Sequence, residues 1–271
     1  MFEATFKRAV MAAFPVVIGC TTVTDDEARE TLDATLVAAK TMSLESALVE
    51  LALPTEAGAP NQVATEVQTL IAERAPCVTV TGSDARRVVD FGAAGCAFLG
   101  RTVKGKMELS FRRAGSGELV ISEEWTEVTD GEATLDGVAD IAWASNDSPM
   151  HVKHDAFWTS KDGVRLEGQG DRTMVRRRSG KVIRTSGVRS WTGDEGLWVL
   201  TMHEADVNGL EPMPEAGVFQ IDPPSKNTMS MAFSRLADGI LVRVFGGWEE
   251  RRYAVLGLGK VEELEPPNVR P

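Results

Sequence analysis

Thr102-Val103-Lys104-Gly105-Lys106-Met107-Glu108-Leu109 decides the fold. Its continuation, Met107-Glu108-Leu109-Ser110-Phe111, alternates apolar and polar residues, the period of a half-buried strand. The octet returns as Thr134-Leu135-Asp136-Gly137-Val138-Ala139-Asp140-Ile141, then as Val164 to Asp171, then as Ile183 to Trp191. Its glycines, at 105, 137 and 168, lie 32 and 31 residues apart, and Gly187 follows after 19. With another strand between the first copies, at Glu118 to Trp125, this period fits two strands and their turns, as in an antiparallel meander. Glycine inside a strand marks a bulge, a bend or a close approach of another backbone. Recurring at one point of successive strands, it curves the sheet.

The same alternation extends both ways. Cys77 to Thr81 and Arg87 to Phe91 read as a hairpin about Gly82-Ser83-Asp84. Downstream, strands are expected at Leu197 to Met202, Val218 to Ile221, Thr228 to Phe233, Ile240 to Phe245 and Arg252 to Leu256. Turn signals separate them at Asn208-Gly209, Pro223-Pro224, Asp238-Gly239 and Gly246-Gly247. Gaps of hairpin length imply antiparallel pairing. The fold class is therefore mainly β: a large antiparallel meander over 77–260, either a curved open sheet or a partly closed barrel. Residues 261–271, acidic and proline-rich, read as a disordered tail.

A helical lead occupies 20–76. Thr24-Asp25-Asp26-Glu27 has the form of a capping box. Ala28, Leu32, Leu36 and Ala39 follow at helical spacing, then Leu44, Ala47, Leu48 and Leu51, with a break expected near Thr41-Met42-Ser43. After a loop at Pro54 to Pro60, Asn61 is placed to cap a second helix with Val63, Val67, Leu70 and Ile71 on one face. The helices are expected to pack on the β domain.

Residues 1–19 have the layout of a signal peptide. Lys7 and Arg8 precede an apolar run of about ten residues, Ala9 to Ile18, too short for the roughly 20 needed to span a bilayer. Val17-Ile18-Gly19-Cys20 resembles the lipobox of bacterial lipoproteins, which implies cleavage before Cys20 and acylation of its sulfur. Thr21, where an Asp would mark inner-membrane retention in Gram-negative lipoproteins, implies the outer membrane. More than one acyl chain suffices for stable anchoring. With Cys20 assigned to lipid, Cys77 and Cys96 remain, and an even remainder in an exported chain reads as one disulfide.

The chain of 271 residues carries a formal charge of −11, with 43% hydrophobic residues. Cleavage would remove two positive charges and one negative, taking −11 to −12. An acidic chain is a poor nucleic-acid binder. The sequence offers no catalytic, cofactor or metal constellation, and the reading is not an enzyme. Gly100 to Lys106 matches a phosphate loop only as far as its lysine, and Met107 stands where Ser or Thr should be. His151 and His154, three apart in a strand, point to opposite faces, and both read as surface imidazoles near a turn rather than metal ligands. The basic island of Arg165, Arg172, Arg176, Arg177, Arg178, Lys181, Arg184 and Arg189 reads as the solvated face of a hairpin. Of six tryptophans, Trp125, Trp143, Trp191 and Trp198 are the candidate lining of a ligand cleft, with core packing as the alternative.

From Cys77 to Phe111, Cys-x-Thr-x-Thr, Val88-Val89-Asp90-Phe91-Gly92, Gly95-Cys96 and Gly100-Arg101-x-x-x-Gly105 together resemble uncharacterised lipoproteins of myxobacteria and Bacteroidetes. Ala97-Phe98-Leu99 is more apolar than the turn expected there. The resemblance implies a lipobox, a helical lead, paired cysteines and a β-meander, and carries no activity. The expectation is thus a lipid-anchored envelope protein with a structural or interaction role, its partners the membrane and an envelope protein, lipid or glycan. The alternative is a carrier or binding module for an apolar ligand or glycan on the curved sheet.

Overall fold

The computed structural model describes residues 23–176, 183–207, 213–224, 226–246, 249–256 and 259–264. The signal peptide, Cys20, Arg177, Arg178, Lys181, Trp248 and residues 265–271 lie outside that set.

Two helices, α1 (Asp25–Leu51) and α2 (Pro60–Arg74), precede the strands. These are β1 (Thr79–Thr81), β2 (Arg86–Asp90), β3 (Cys96–Phe98), β4 (Arg101–Arg113), β5 (Leu119–Thr129), β6 (Ala133–Trp143), β7 (Met150–Ser160), β8 (Arg165–Arg176), β9 (Ile183–Gly193) and β10 (Gly196–Val207). They continue as β11 (Ala216–Asp222), β12 (Met229–Arg235), β13 (Gly239–Gly246), β14 (Glu249–Leu256) and β15 (Val261–Leu264). All pair antiparallel in sequence order, except that β2 skips to β4, on which β3 is a side strand. Among the described residues β1 and β15 do not pair, so the sheet is open. The tail is shorter than read, because Val261 to Leu264 extend the sheet along β14.

The capping box forms as read. Thr24 Oγ1 accepts from the Glu27 amide at 3.2 Å, and the Thr24 amide donates to Glu27 Oε2 at 2.9 Å, which stabilises the helix start by about 1 kcal/mol. No break follows near residue 42: α1 runs through, and the Ser43 hydroxyl returns to the Lys40 carbonyl at 2.9 Å. The second helix is entered by Pro60 at its first position, behind Ala59 as N-cap, in place of the Asn61 cap.

The helical lead is not a separate body. In the second half of α1, Leu44, Glu45, Ala47, Leu48, Val49 and Leu51 are all buried, so that stretch is surrounded. One hydrophobic core joins them to Trp125, Leu135, Ile141, Val152, Leu200 and Ile240 of the sheet. The sheet curls around α1, while α2 covers β1, β2 and β4.

Glycine makes that curl possible. On β5, Glu127 sits at φ +48° in a bulge, shifting the register against both neighbours. Its neighbours there are Gly105 on β4 and Gly137 on β6. A Cβ at Gly105 would collide with the Glu127 carbonyl, and one at Gly137 with the Asp155 carbonyl. The arrangement repeats at β10, where Glu204 takes φ +47° between Gly187 on β9 and Gly217 on β11. Of the repeated glycines of the sequence, Gly105, Gly137 and Gly187 are thus partners of bulges, which bend the sheet and increase its twist, while Gly168 lies in regular pairing and makes room for the Trp158 ring. The Cys77–Cys96 disulfide forms and ties the segment before β1 to β3.

Candidate functional site

One row of residues crosses the inner face of the sheet at mid-height: Arg87, Leu109, Glu123, Ala139, His154, Gly170, Arg189 and Leu200, from β2 and β4 to β10 in turn. Four of the eight are ionisable, and all four are buried. Glu45 descends on them from α1. It is fully buried, and its Oε1 lies 2.8 Å from Arg172 Nη2 and 3.2 Å from His154 Nδ1. Arg189 approaches with two nitrogens, each 3.3 Å from a Glu45 oxygen. Small residues make the space. A Cβ at Gly170 would fall on the His154 ring, which also meets Trp158 edge-on at 6.0 Å.

The electrostatics follow from burial. Desolvation pushes the Glu123 carboxyl up to about 8; the Trp125 indole donating to it at 3.1 Å works against this, the nearby Glu45 adds to it and Arg172 opposes it. Glu123 is therefore neutral at pH 7. Burial also lowers the His154 pKa, against the pull of Glu45 and with the push of Arg172. In the neutral ring, Nδ1 either donates to Glu45 or accepts from Arg172 Nη1 at 3.4 Å, according to its tautomer. The cluster then holds two guanidiniums against the carboxylate of Glu45.

Beside the cluster lies an apolar crevice of about 70 Å³. Met174, Ile183, Met202, Val207, Met213 and Phe219 form its sheet side, and Ala39, Ser43, Ser46 and Glu50 its α1 side, with Arg172 and Arg189 at the boundary. A larger groove of about 730 Å³ runs over β2 and β4–β7. By strand alternation its solvent-facing side chains include Glu108, Ser110, Ser122, Glu124, Asp140, Lys153 and Asp155. Ser122 donates to Asp140 there at 2.5 Å.

The sequence-based site residues fare unevenly. Trp125, Trp143, Trp191 and Trp198 are all at most 5% exposed and belong to the core, so they do not line the crevice. Trp191 and Trp198 stack on each other at 5.9 Å. The cleft reading of these four gives way to core packing, because their inward strand positions lie in the one hydrophobic core. The basic island divides: Arg184 pairs with Asp206 at 2.9 Å near the surface, while Arg172 and Arg189 turn inward. His154 is likewise buried and not a surface imidazole, although His151 does point the other way, to Asp171 at 2.6 Å. Gly100 to Lys106 enters strand β4, not a helix, so it has no phosphate-loop geometry. Among the described residues no three His, Cys, Asp or Glu side chains are grouped to hold a metal, and no helix is long and apolar enough to cross a membrane. Glu45 and Glu123, the centre of the cluster, escape sequence reasoning. The available signal is charge on the apolar phase of strands, at 87, 123, 154, 172 and 189.

Comparison with protein-family models, with curated proteins and with solved structures gives no match.

Proposed function

We propose that the protein is an exported, lipid-anchored binding module of the cell envelope that holds a small amphiphile between α1 and β8–β11. One observation carries the binding role: an apolar crevice ends on two buried arginines that share the carboxylate of Glu45. The apolar body of a ligand would lie against Met174, Met202 and Met213, and its acidic head toward Arg172 and Arg189. The crevice has room for about two water-sized groups. An acyl chain therefore enters by displacing the three methionines, whose unbranched side chains repack readily. The lipobox at Val17 to Cys20 supports export and anchoring, and Thr21 favours the outer membrane. The Cys77–Cys96 bridge suits an oxidising compartment.

The test is thermal unfolding with octanoate, octanol and octylamine. Octanoate should raise the midpoint most, and Met202→Trp, which fills the crevice, should remove the gain. If none of the three shifts the midpoint, the competing reading stands: an envelope lipoprotein with a structural or interaction role, which the tryptophan-filled core favours. Anchoring is tested separately by acyl labelling, which Cys20→Ala should abolish.

A further inference from the structure

Two residues, Thr21 and Thr22, separate the acylation site from the folded body. Val23 is buried, and its side chain occupies the space a Cβ at Gly246 would need, at the end of β13. Two residues on, Asp25 pairs with Arg251 of β14, and Glu30 pairs with Lys226 in the β11–β12 turn. The start of α1 is thereby pinned to one rim of the sheet. In an antiparallel meander, turns alternate between the two rims, so this one carries the β5–β6, β7–β8, β9–β10, β11–β12 and β13–β14 connections. The three chain steps from Cys20 to Val23 reach at most about 10 Å. The opposite rim is farther: β13 alone, Gly239–Gly246, separates the two by about 25 Å.

Resting on the acylation of Cys20 argued above, we propose that the rim holding the start of α1 is the membrane-apposed face, with the β11–β12 and β13–β14 turns nearest the lipid headgroups. The partner is the lipid surface that receives the acyl chains. Asp130, Glu132, Asp162, Asp194, Glu195 and Glu249 on this rim outnumber Lys161, Arg165 and Lys226, so the acyl chains, not charge, hold it there. The orientation fixes what faces away. Met174, Ile183 and Val207 lie toward the far ends of β8, β9 and β10, so the crevice sits toward the aqueous side.

Energy transfer on the acylated full-length chain tests this. Donor dyes go on single cysteines replacing Asn227 or Asp194 on the near rim, or Asp147 or Asp238 on the far rim. Vesicles of phosphatidylethanolamine and phosphatidylglycerol carry a headgroup acceptor. Transfer from Asn227 and Asp194 should exceed that from Asp147 and Asp238 by about twofold, given a rim separation of about 25 Å. Equal or reversed transfer, in a protein that floats with the vesicles, overturns the orientation and leaves the anchoring intact. If the full-length chain fails to float, as Cys20→Ala should, the anchoring itself falls and the orientation with it.

Discussion

Two adjacent rows of the same strands meet opposite fates. The inner row carries Arg87, Glu123, His154 and Arg189; the outer row, one residue over, carries Glu108, Glu124 and Asp155. Glu123 and Glu124 are neighbours in the chain, yet one is 1% exposed with its carboxyl pushed up to about 8, and the other faces water. Glu108 stands directly across from Glu124, like charge to like charge, with solvent to screen both. The strand pleat, more than composition, decides which charges need partners. On the inner face each finds its own answer: α1 brings Glu45 to Arg189 and Arg172, Gln68 of α2 meets Arg87, and Glu123 stays neutral.

The sharpest break in this comparison is Glu45→Ala. It leaves two buried guanidiniums without their shared carboxylate and should cost about 3–5 kcal/mol in chemical denaturation. A loss below about 1 kcal/mol, the value of an exposed ion pair, would show that the inner row is no more demanding than the outer. The pH dependence of stability is the next largest effect. Glu123 is protonated in the folded state up to about pH 8 but ionises from about 4.5 once unfolded. Its contribution is therefore complete below about 4.5 and is lost as pH rises to about 8, by up to about 1.4 kcal/mol per pH unit. Glu123→Gln should flatten that slope; an unchanged slope would assign it to other groups. His154, whose pKa is lowered, works from the other side: its contribution is present above about 6.5 and is lost as pH falls below that. The smallest effect belongs to the outer row. Glu108→Lys should turn the repulsion with Glu124 into attraction and add a few tenths of a kcal/mol at low salt. The gain should fade at high salt, and a gain that persists there would point to packing instead.

The meander was legible because alternation and turn signals are local. Met107 to Phe111 and Asp238-Gly239 each state their structure within a few residues, and the disulfide followed from counting cysteines. The inner cluster was not legible, because its contacts are remote: Glu45 and Arg189 are 144 residues apart. In sequence, Glu45 looks like any helix-surface charge, and Arg172 and Arg189 look like members of a basic hairpin. The tryptophans were ambiguous for another reason. Strand period alone places Trp125 on a face without saying whether that face is filled, and α1, which fills it, could not be placed from periodicity. Gly105, Gly137 and Gly187 do mark places where the sheet bends, but the bulges themselves lie on the neighbouring strands, at Glu127 and Glu204, and Gly168 adjoins neither.

The central position of α1 also sets an order of events. Each strand finds its partner close by in sequence, so hairpins can close as soon as they exist. The helix is synthesised first and must wait, because Arg172 and Arg189 come last among the ligands of Glu45. Until β9 has formed, the apolar sides of α1 have nothing complete to settle into. A chain built this way can pair its strands early yet completes its core late, when the last of them close around its own beginning.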